Sequence, residues 1–483
     1  MADEFDDVVL PPPGSPERIK LENRMKWKLD LTILPIIVGM FILNYLDRNN
    51  IAAAKLGTLL EDLNLSSTQY STCVSILFVS YIILQIPSNL ILSSIPRPNI
   101  YLPAVMICWG VISTSVGAAK TYGAMVGLRV LIGIFEAGFY PGVIYYLSCW
   151  YTSKELAKRS AIFVLGSYLS GAFSGLISYA VLENMDGVHG RAAWRWLFII
   201  EGVATIGFSI LAMPILPSLP QNTKWLSKQE RLLGVVRLLE DIQLASEPGM
   251  SRENTIDTLA TLSEWQKLRM GFKDAVTDDK VIMFFCTMFC VCGTASINTV
   301  FPTIVESLGY ARAETLLLTA PPWILCAITC FLNAAHSDKT GERFWHMVWG
   351  PVLSMVGFII GISTTKIAPR YVSIMILLQN YNAWGVGFAW ITSTINQPAP
   401  KRAAAIAIIN IGFNIPNIFM PYLYTSGMSP HFYAGFGVCI CFAFVSVLGM
   451  ILIRGKLIRL NKRLERGEVV DGMDGATGYR FIY

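Results

Sequence analysis

Charged residues stand inside otherwise apolar stretches of the chain: Asp47 and Arg48 side by side in one, Arg129 and Glu136 in another. In a helix crossing lipid each such charge costs about 2.5–3.5 kcal/mol, so a charge that is kept there marks a functional position. The residue types limit the chemistry. An arginine is a permanent cation whose planar fork matches a carboxylate. A carboxyl group shielded from water is suited to binding and releasing a proton. Neighbouring residues on a helix point about 100° apart, so Asp47 does not neutralise Arg48. Arg129 and Glu136 are seven residues apart and share a face. Along the axis they are separated by about 10 Å, too far to pair directly. The sequence has no GxSxG or HExxH motif and no paired His/Asp cluster on one helix. It therefore reads as no enzyme, with no catalytic residues, no metal site and no cofactor beyond a coupling proton.

The elements that position these residues follow from the apolar runs. Of 483 residues 53% are hydrophobic and only 15% charged, against about a quarter charged in ordinary soluble domains. The apolar residues gather in runs of roughly 18–24, the length of a helix crossing hydrocarbon. Only helices or closed barrels satisfy every backbone group there, and barrel strands are short and alternating. The predicted crossings are 29–50, 70–92, 101–119, 123–146, 160–182, 195–216, 281–305, 315–335, 345–364, 371–394, 403–424 and 432–453. The expected fold is all-α: about twelve membrane helices in two pseudo-symmetric six-helix bundles. The expected organisation is a disordered, basic tail over 1–28, a first bundle over 29–216, a polar linker over 217–280, a second bundle over 281–453 and a basic tail over 454–483. Lys and Arg concentrate in the tails and in alternate short segments (Arg97, Lys158 and Arg159, Lys339 and Arg343, Lys401 and Arg402). That asymmetry predicts both termini on the cytoplasmic side.

The net charge of +5 is spread between apolar runs, not gathered with aromatics on a patch, so no nucleic-acid partner is expected. The ten cysteines form no CxxC pair and read as buried small hydrophobes. The expected partners are the lipid bilayer and a small organic anion, with the chain acting as a monomer.

Depth refines the site. With the first helix entering at residue 29, Arg48 lies about 28 Å up, and Arg129 lies about 9 Å below the outer start of the fourth helix. Both fall in one outer layer, which suggests an Asp47–Arg129 pair and leaves Arg48 for Glu136, water or a substrate anion. The Pro141-Gly142 end of the fourth helix is expected to bend it. In His336-Ser337-Asp338-Lys339-Thr340-Gly341-Glu342-Arg343, Asp338 and Arg343 flank a glycine turn and are expected to pair with neighbouring helix ends as a cytoplasmic gate latch.

The segment Arg129 to Gly142 resembles the fourth-helix signature of the major facilitator superfamily, and 338–343 resembles its loop signature. The first-half counterpart, near Pro87-Ser88-Asn89 to Arg97, departs from that pattern, with Asn89 where an Asp is usual. Tyr45-Leu46-Asp47-Arg48-Asn49-Asn50-Ile51, Phe135-Glu136-Ala137-Gly138 and Trp194-Arg195-Trp196-Leu197-Phe198-Ile199-Ile200-Glu201-Gly202 resemble the anion:cation symporter family, most closely its fungal allantoate-permease-like branch. Known substrates of that branch include allantoate, ureidosuccinate, nicotinate, pantothenate and biotin, mostly small carboxylates taken up with protons. The resemblance implies that Asp47 and Glu136 couple protons, that Arg48 binds substrate, and that Arg129 pairs with the first-helix Asp. Asn298 and the series Asn410, Asn414, Asn417 replace residues that are more often glycine in the branch; Asn298, Asn410 and Asn414 are expected to join Arg48 in substrate binding. The expectation is a proton-coupled symporter of a small organic anion in the plasma membrane. The alternatives are an exporter of a fungal secondary metabolite and a transport-inactive nutrient sensor.

Overall fold

The computed structural model describes residues 8–95, 97–223, 225–245, 264–395, 399–424, 429–470 and 480–483. Local signals start the helices. Ser15 caps α1 (Pro16–Ala54) by accepting from Arg18 N at 3.2 Å, with Pro16 at its first position. The chain then forms α2 (Ser67–Ser94) and α3 (Pro98–Val116). Thr121 caps α4 (Tyr122–Glu136), accepting from Ala124 N at 3.2 Å. After α5 (Phe139–Ser148), a Thr152/Glu155 capping box opens α6 (Ser153–Asn184), and α7 (Ala193–Ile215) closes the first half.

The linker carries α8 (Lys228–Ala245) and α9 (Glu264–Val276). The second half contains α10 (Asp279–Ala295), α11 (Phe301–Glu306), α12 (Arg312–Thr340), α13 (Phe344–Ser363), α14 (Ile367–Leu377), α15 (Tyr381–Thr394), α16 (Ala399–Asn414) and α17 (Tyr433–Glu465). Among the described residues, eleven helices are long and apolar enough to cross a membrane. The remaining predicted crossing, 371–394, is split: α14 and α15 are joined by a 3-10 turn, Leu378–Asn380, whose Gln379 and Asn380 are buried with Asn382. Asn380 Nδ2 donates to Val291 O at 2.8 Å and Tyr381 OH to Ala295 O at 3.0 Å, so the polar break is held against α10.

Two expectations about the tails are corrected. Residues 16–28 are the first turns of α1, not disordered chain, because Ser15 and Pro16 start the helix there. Arg18, expected in a loose basic tail, is buried and bonds Glu240 of α8 at 2.9 Å. At the other end α17 continues to Glu465. The expected disorder of residues 1–7 lies outside the described residues, as do the middle of the linker and the side chain of Asn89.

The halves meet along α6 and α12, and α2 packs against α16 and the short helix Pro416–Phe419. A Cβ on Gly175 would lie 2.7 Å from Leu316 O and 2.1 Å from Thr319 Oγ1, so only glycine lets α6 and α12 approach this closely. Toward the end away from the termini, Ser71 Oγ donates to Pro421 O at 3.2 Å, Thr72 and Tyr422 hydroxyls lie 3.0 Å apart, and Arg312 bonds Glu183 at 3.2 Å. The halves are thus pinned together at that end.

Candidate functional site

The site forms between α1 and α4, where α1 passes the second half. A side chain on a helix leans toward the helix N-terminus. The N-terminus of α1 lies at the termini end, so the long Arg48 side chain leans inward. The α4 helix runs the opposite way, so Glu136 leans outward. They meet: Arg48 Nε donates to Glu136 Oε2 at 2.5 Å, with Arg48 11% exposed and Glu136 fully buried. The second carboxylate oxygen of Glu136 has no hydrogen-bond partner among the described residues. Aromatic rings surround the guanidinium, with centroids 5.4 Å away for Tyr45, 4.8 Å for Tyr81 and 6.0 Å for Phe78.

Asp47 and Arg129 do not pair. Asp47, one helical step from Arg48, faces α3 and α7. It accepts from Ser113 Oγ at 2.8 Å, Trp109 Nε1 at 3.2 Å and Thr205 Oγ1 at 3.1 Å. Arg129 faces α2 and donates from Nε to Cys73 O at 3.2 Å; its Nη1 has no partner among the described residues. Pairing needs a shared azimuth as well as a shared depth, and the helices turn these two side chains toward different neighbours.

Arg48 and Arg129 both line a cavity of about 70 Å³ with Tyr45, Asn298, Trp384 and Asn414. At about 10–15 Å³ per water centre this holds roughly five waters. Asn298 Nδ2 donates to Asn49 Oδ1 at 3.3 Å, joining the second half to α1. Of the four residues expected to bind substrate, Arg48, Asn298 and Asn414 line the cavity. Asn410 stands one turn back, its backbone oxygen accepting from Asn414 Nδ2 at 2.8 Å. Asn417, which stands in the same series but is not among the expected binding residues, lines it too, as do Tyr45, Tyr381 and Trp384, which sequence reasoning does not assign to the site. Tyr45 could have been found, since it precedes Arg48 by three residues and so shares its face.

The bend beside Glu136 falls at Ala137–Gly138, not at Pro141-Gly142. Pro141 sits in the first turn of α5, where its missing N–H costs nothing. A Cβ on Gly138 would meet Ser88 Oγ at 2.0 Å, so the break lies where the chain crowds α2.

The expected gate latch pairs within itself. Arg343 Nη1 bonds Asp338 Oδ1 at 2.6 Å and Ser337 Oγ at 2.9 Å across the turn at Gly341, whose φ is +70°. Glu342 pairs with His346 at 2.9 Å. The turn spans so few residues that its two ends reach each other before either reaches another helix.

Helices that make two packed halves with a buried, charged cavity between them, among the described residues, are the arrangement of a membrane transport protein. Residues 37–421 match the Major Facilitator Superfamily, and the chain belongs to that family. It is 33% identical over 436 residues to the "MFS-type transporter cnsO" of Penicillium expansum, covering 85% of this chain and 78% of the relative. It is 32% identical to a "Putative tartrate transporter" of Agrobacterium vitis, covering 81% of this chain and 85% of the relative. Among solved structures it resembles a bacterial homologue of the human lysosomal transporter Spinster, in an inward-facing, occupied conformation. The TM-score is 0.65 at 14% identity, covering 89% of this chain and 98% of that one.

Proposed function

We propose that this transporter carries a small organic anion, a carboxylate, together with a proton, and that it belongs to the anion:cation symporter family and its fungal allantoate-permease-like branch. The observation that carries the reading is the Arg48–Glu136 pair at the cavity wall. While Glu136 is ionised it occupies Arg48. A proton on Glu136 removes the competing charge and frees the guanidinium for a substrate carboxylate. Loss of that proton on the other side restores the pair and expels the anion. Breaking a buried pair by removing one charge costs about 3–5 kcal/mol, so proton and anion binding to this site are strongly linked. The unpartnered Nη1 of Arg129 and the amides of Asn298 and Asn414 supply further donors facing the anion. A relative named as a tartrate transporter supports a carboxylate cargo, and the motifs around Asp47-Arg48 and Glu136 support the branch. The halves are pinned at the end away from the termini, so in our reading the cavity next opens toward the termini. We place that end in the cytoplasm, the protein in the plasma membrane, and the working unit as a monomer.

The test is carboxylate binding to the purified protein, followed as thermal stabilisation across a pH series with a panel of small acids. Wild type is expected to bind more tightly as pH falls. Glu136→Gln is expected to bind with that dependence removed. A Glu136→Gln protein that keeps the wild-type pH dependence refutes the exchange.

A further inference from the structure

On the opposite face of α1 from the cavity lies a second buried acid. Glu201 of α7 is 2% exposed, and neither of its carboxylate oxygens has a hydrogen-bond partner among the described residues. Asn50 of α1 is fully buried, and neither polar atom of its amide has one either. Asp47 and Asn50 are the groups close enough to act on Glu201. Thr205, one turn further along α7 than Glu201, already donates to Asp47. The two acids, the amide and this hydroxyl form one polar island between α1, α3 and α7.

No described cation enters this island. On α1, Arg48 is committed to Glu136, and Lys55 lies over the Tyr70 ring. On α7, Arg195 donates to the carbonyls of Gly117 and Ala119 near the outer end. From α3 come only Trp109 and Ser113, both bonded to Asp47, and Thr114, bonded to Gly110 O. On α6, Arg159 pairs with Asp30 and Glu183 with Arg312, at the helix's two ends. Asp47 has three donors but Glu201 has none, so with no described cation in the island a charge on both acids would leave Glu201 to bear its own desolvation cost and the repulsion of Asp47. A shared proton removes one of the charges. An asparagine beside Glu201 suits both states, because its NH2 donates to an ionised carboxylate and its carbonyl accepts from a protonated one.

We infer that Glu201 and Asp47 form a second proton-binding site, with the Asn50 amide beside Glu201 as the polar group that serves either protonation state. The site goes beyond the Arg48–Glu136 exchange, faces away from the cavity, and needs no substrate to be observed.

It is tested by infrared difference spectroscopy of the full-length protein in lipid nanodiscs through a pH series without added substrate. The C=O stretch of a buried, protonated carboxyl is followed. Wild type and Glu136→Gln are expected to share one titrating carboxyl band that Glu201→Gln lacks. Asp47→Asn is expected to displace the midpoint of that band. Glu201→Asp, which keeps the acid should the amide fail to fold, is expected to retain a titrating band at a shifted frequency. Labelling wild type with carboxyl-13C glutamate is expected to move the band, assigning it to Glu and not Asp. The inference is overturned if Glu201→Gln titrates like wild type, or if the Glu201 band stays unchanged across the whole series, as for a permanently neutral structural group. Loss of the titrating band in Glu136→Gln, with retention in Glu201→Gln, also overturns it.

Discussion

Replacing Arg48 with lysine separates charge from shape. In the structure Arg48 bonds Glu136 through Nε at 2.5 Å; in our reading a proton on Glu136 frees the planar guanidinium for a carboxylate. Lysine keeps the charge but offers a point ammonium on a flexible stem. The tyrosine and phenylalanine rings around the guanidinium also lose a flat partner. A charge-assisted hydrogen bond contributes about 1.5–3 kcal/mol, so losing one fork contact weakens binding roughly 10- to 150-fold. The assay is a closed cycle: affinities of a transported acid and its amide analogue for wild type and Arg48→Lys. The amide is expected to bind wild type poorly and to lose little more in the variant. A coupling energy near zero would show that Arg48 does not touch the carboxylate and would return it to a helix-packing role.

Three further outcomes follow from particular contacts. Glu230 is buried, caps its own helix by accepting from Ser227 N at 2.9 Å, and bonds Lys28 of α1 at 2.6 Å. Although burial alone would raise it, Lys28 and the Ser227 N–H hold the Glu230 carboxyl below the usual carboxylate range. Its stabilisation is therefore complete above about pH 4.3, the ordinary glutamate value, and is lost as pH falls through the lower folded value. Glu230→Gln is expected to remove on the order of 1–2 kcal/mol and to speed protease cleavage of the linker. Arg343→Ala is expected to cost less than about 1 kcal/mol by denaturation midpoint, since Asp338 is 44% exposed and the pair holds only its own turn. Gly175→Val is expected to wedge α6 from α12 and to raise labelling of a cysteine placed at Ser71 by a membrane-impermeant thiol reagent; unchanged labelling would show that this contact does not close that end.

The membrane helices were legible because each apolar run had to cross a layer of fixed thickness. The exceptions have local causes. The start of α1 was hidden by its charged residues, although Ser15-Pro16-Glu17 is a readable helix start. The crossing at 371–394 was found as one helix, but its Gln379-Asn380 break depends on carbonyls of α10 that only the fold brings near. At the site, residue type and depth singled out Asp47, Arg48, Arg129 and Glu136. The partnerships came out differently because they depend on the rotation of α1 and on the direction in which each side chain leans. The lean was in fact available, since an arginine on an ascending helix and a glutamate on a descending one point toward each other. Glu201 enters only as part of a family motif; inside the predicted crossing 195–216, it carries the same signal as Glu136.

The central claim is that a proton on Glu136 exchanges with a carboxylate on Arg48. It is tested most directly by reconstituting wild type and Glu136→Gln in proteoliposomes and following uptake of radiolabelled small carboxylates with and without an imposed pH gradient. Wild type is expected to accumulate an acid only when the gradient is present, whereas Glu136→Gln exchanges that acid across the membrane but does not concentrate it. Accumulation by Glu136→Gln equal to wild type, or wild-type accumulation indifferent to the gradient, would contradict the account.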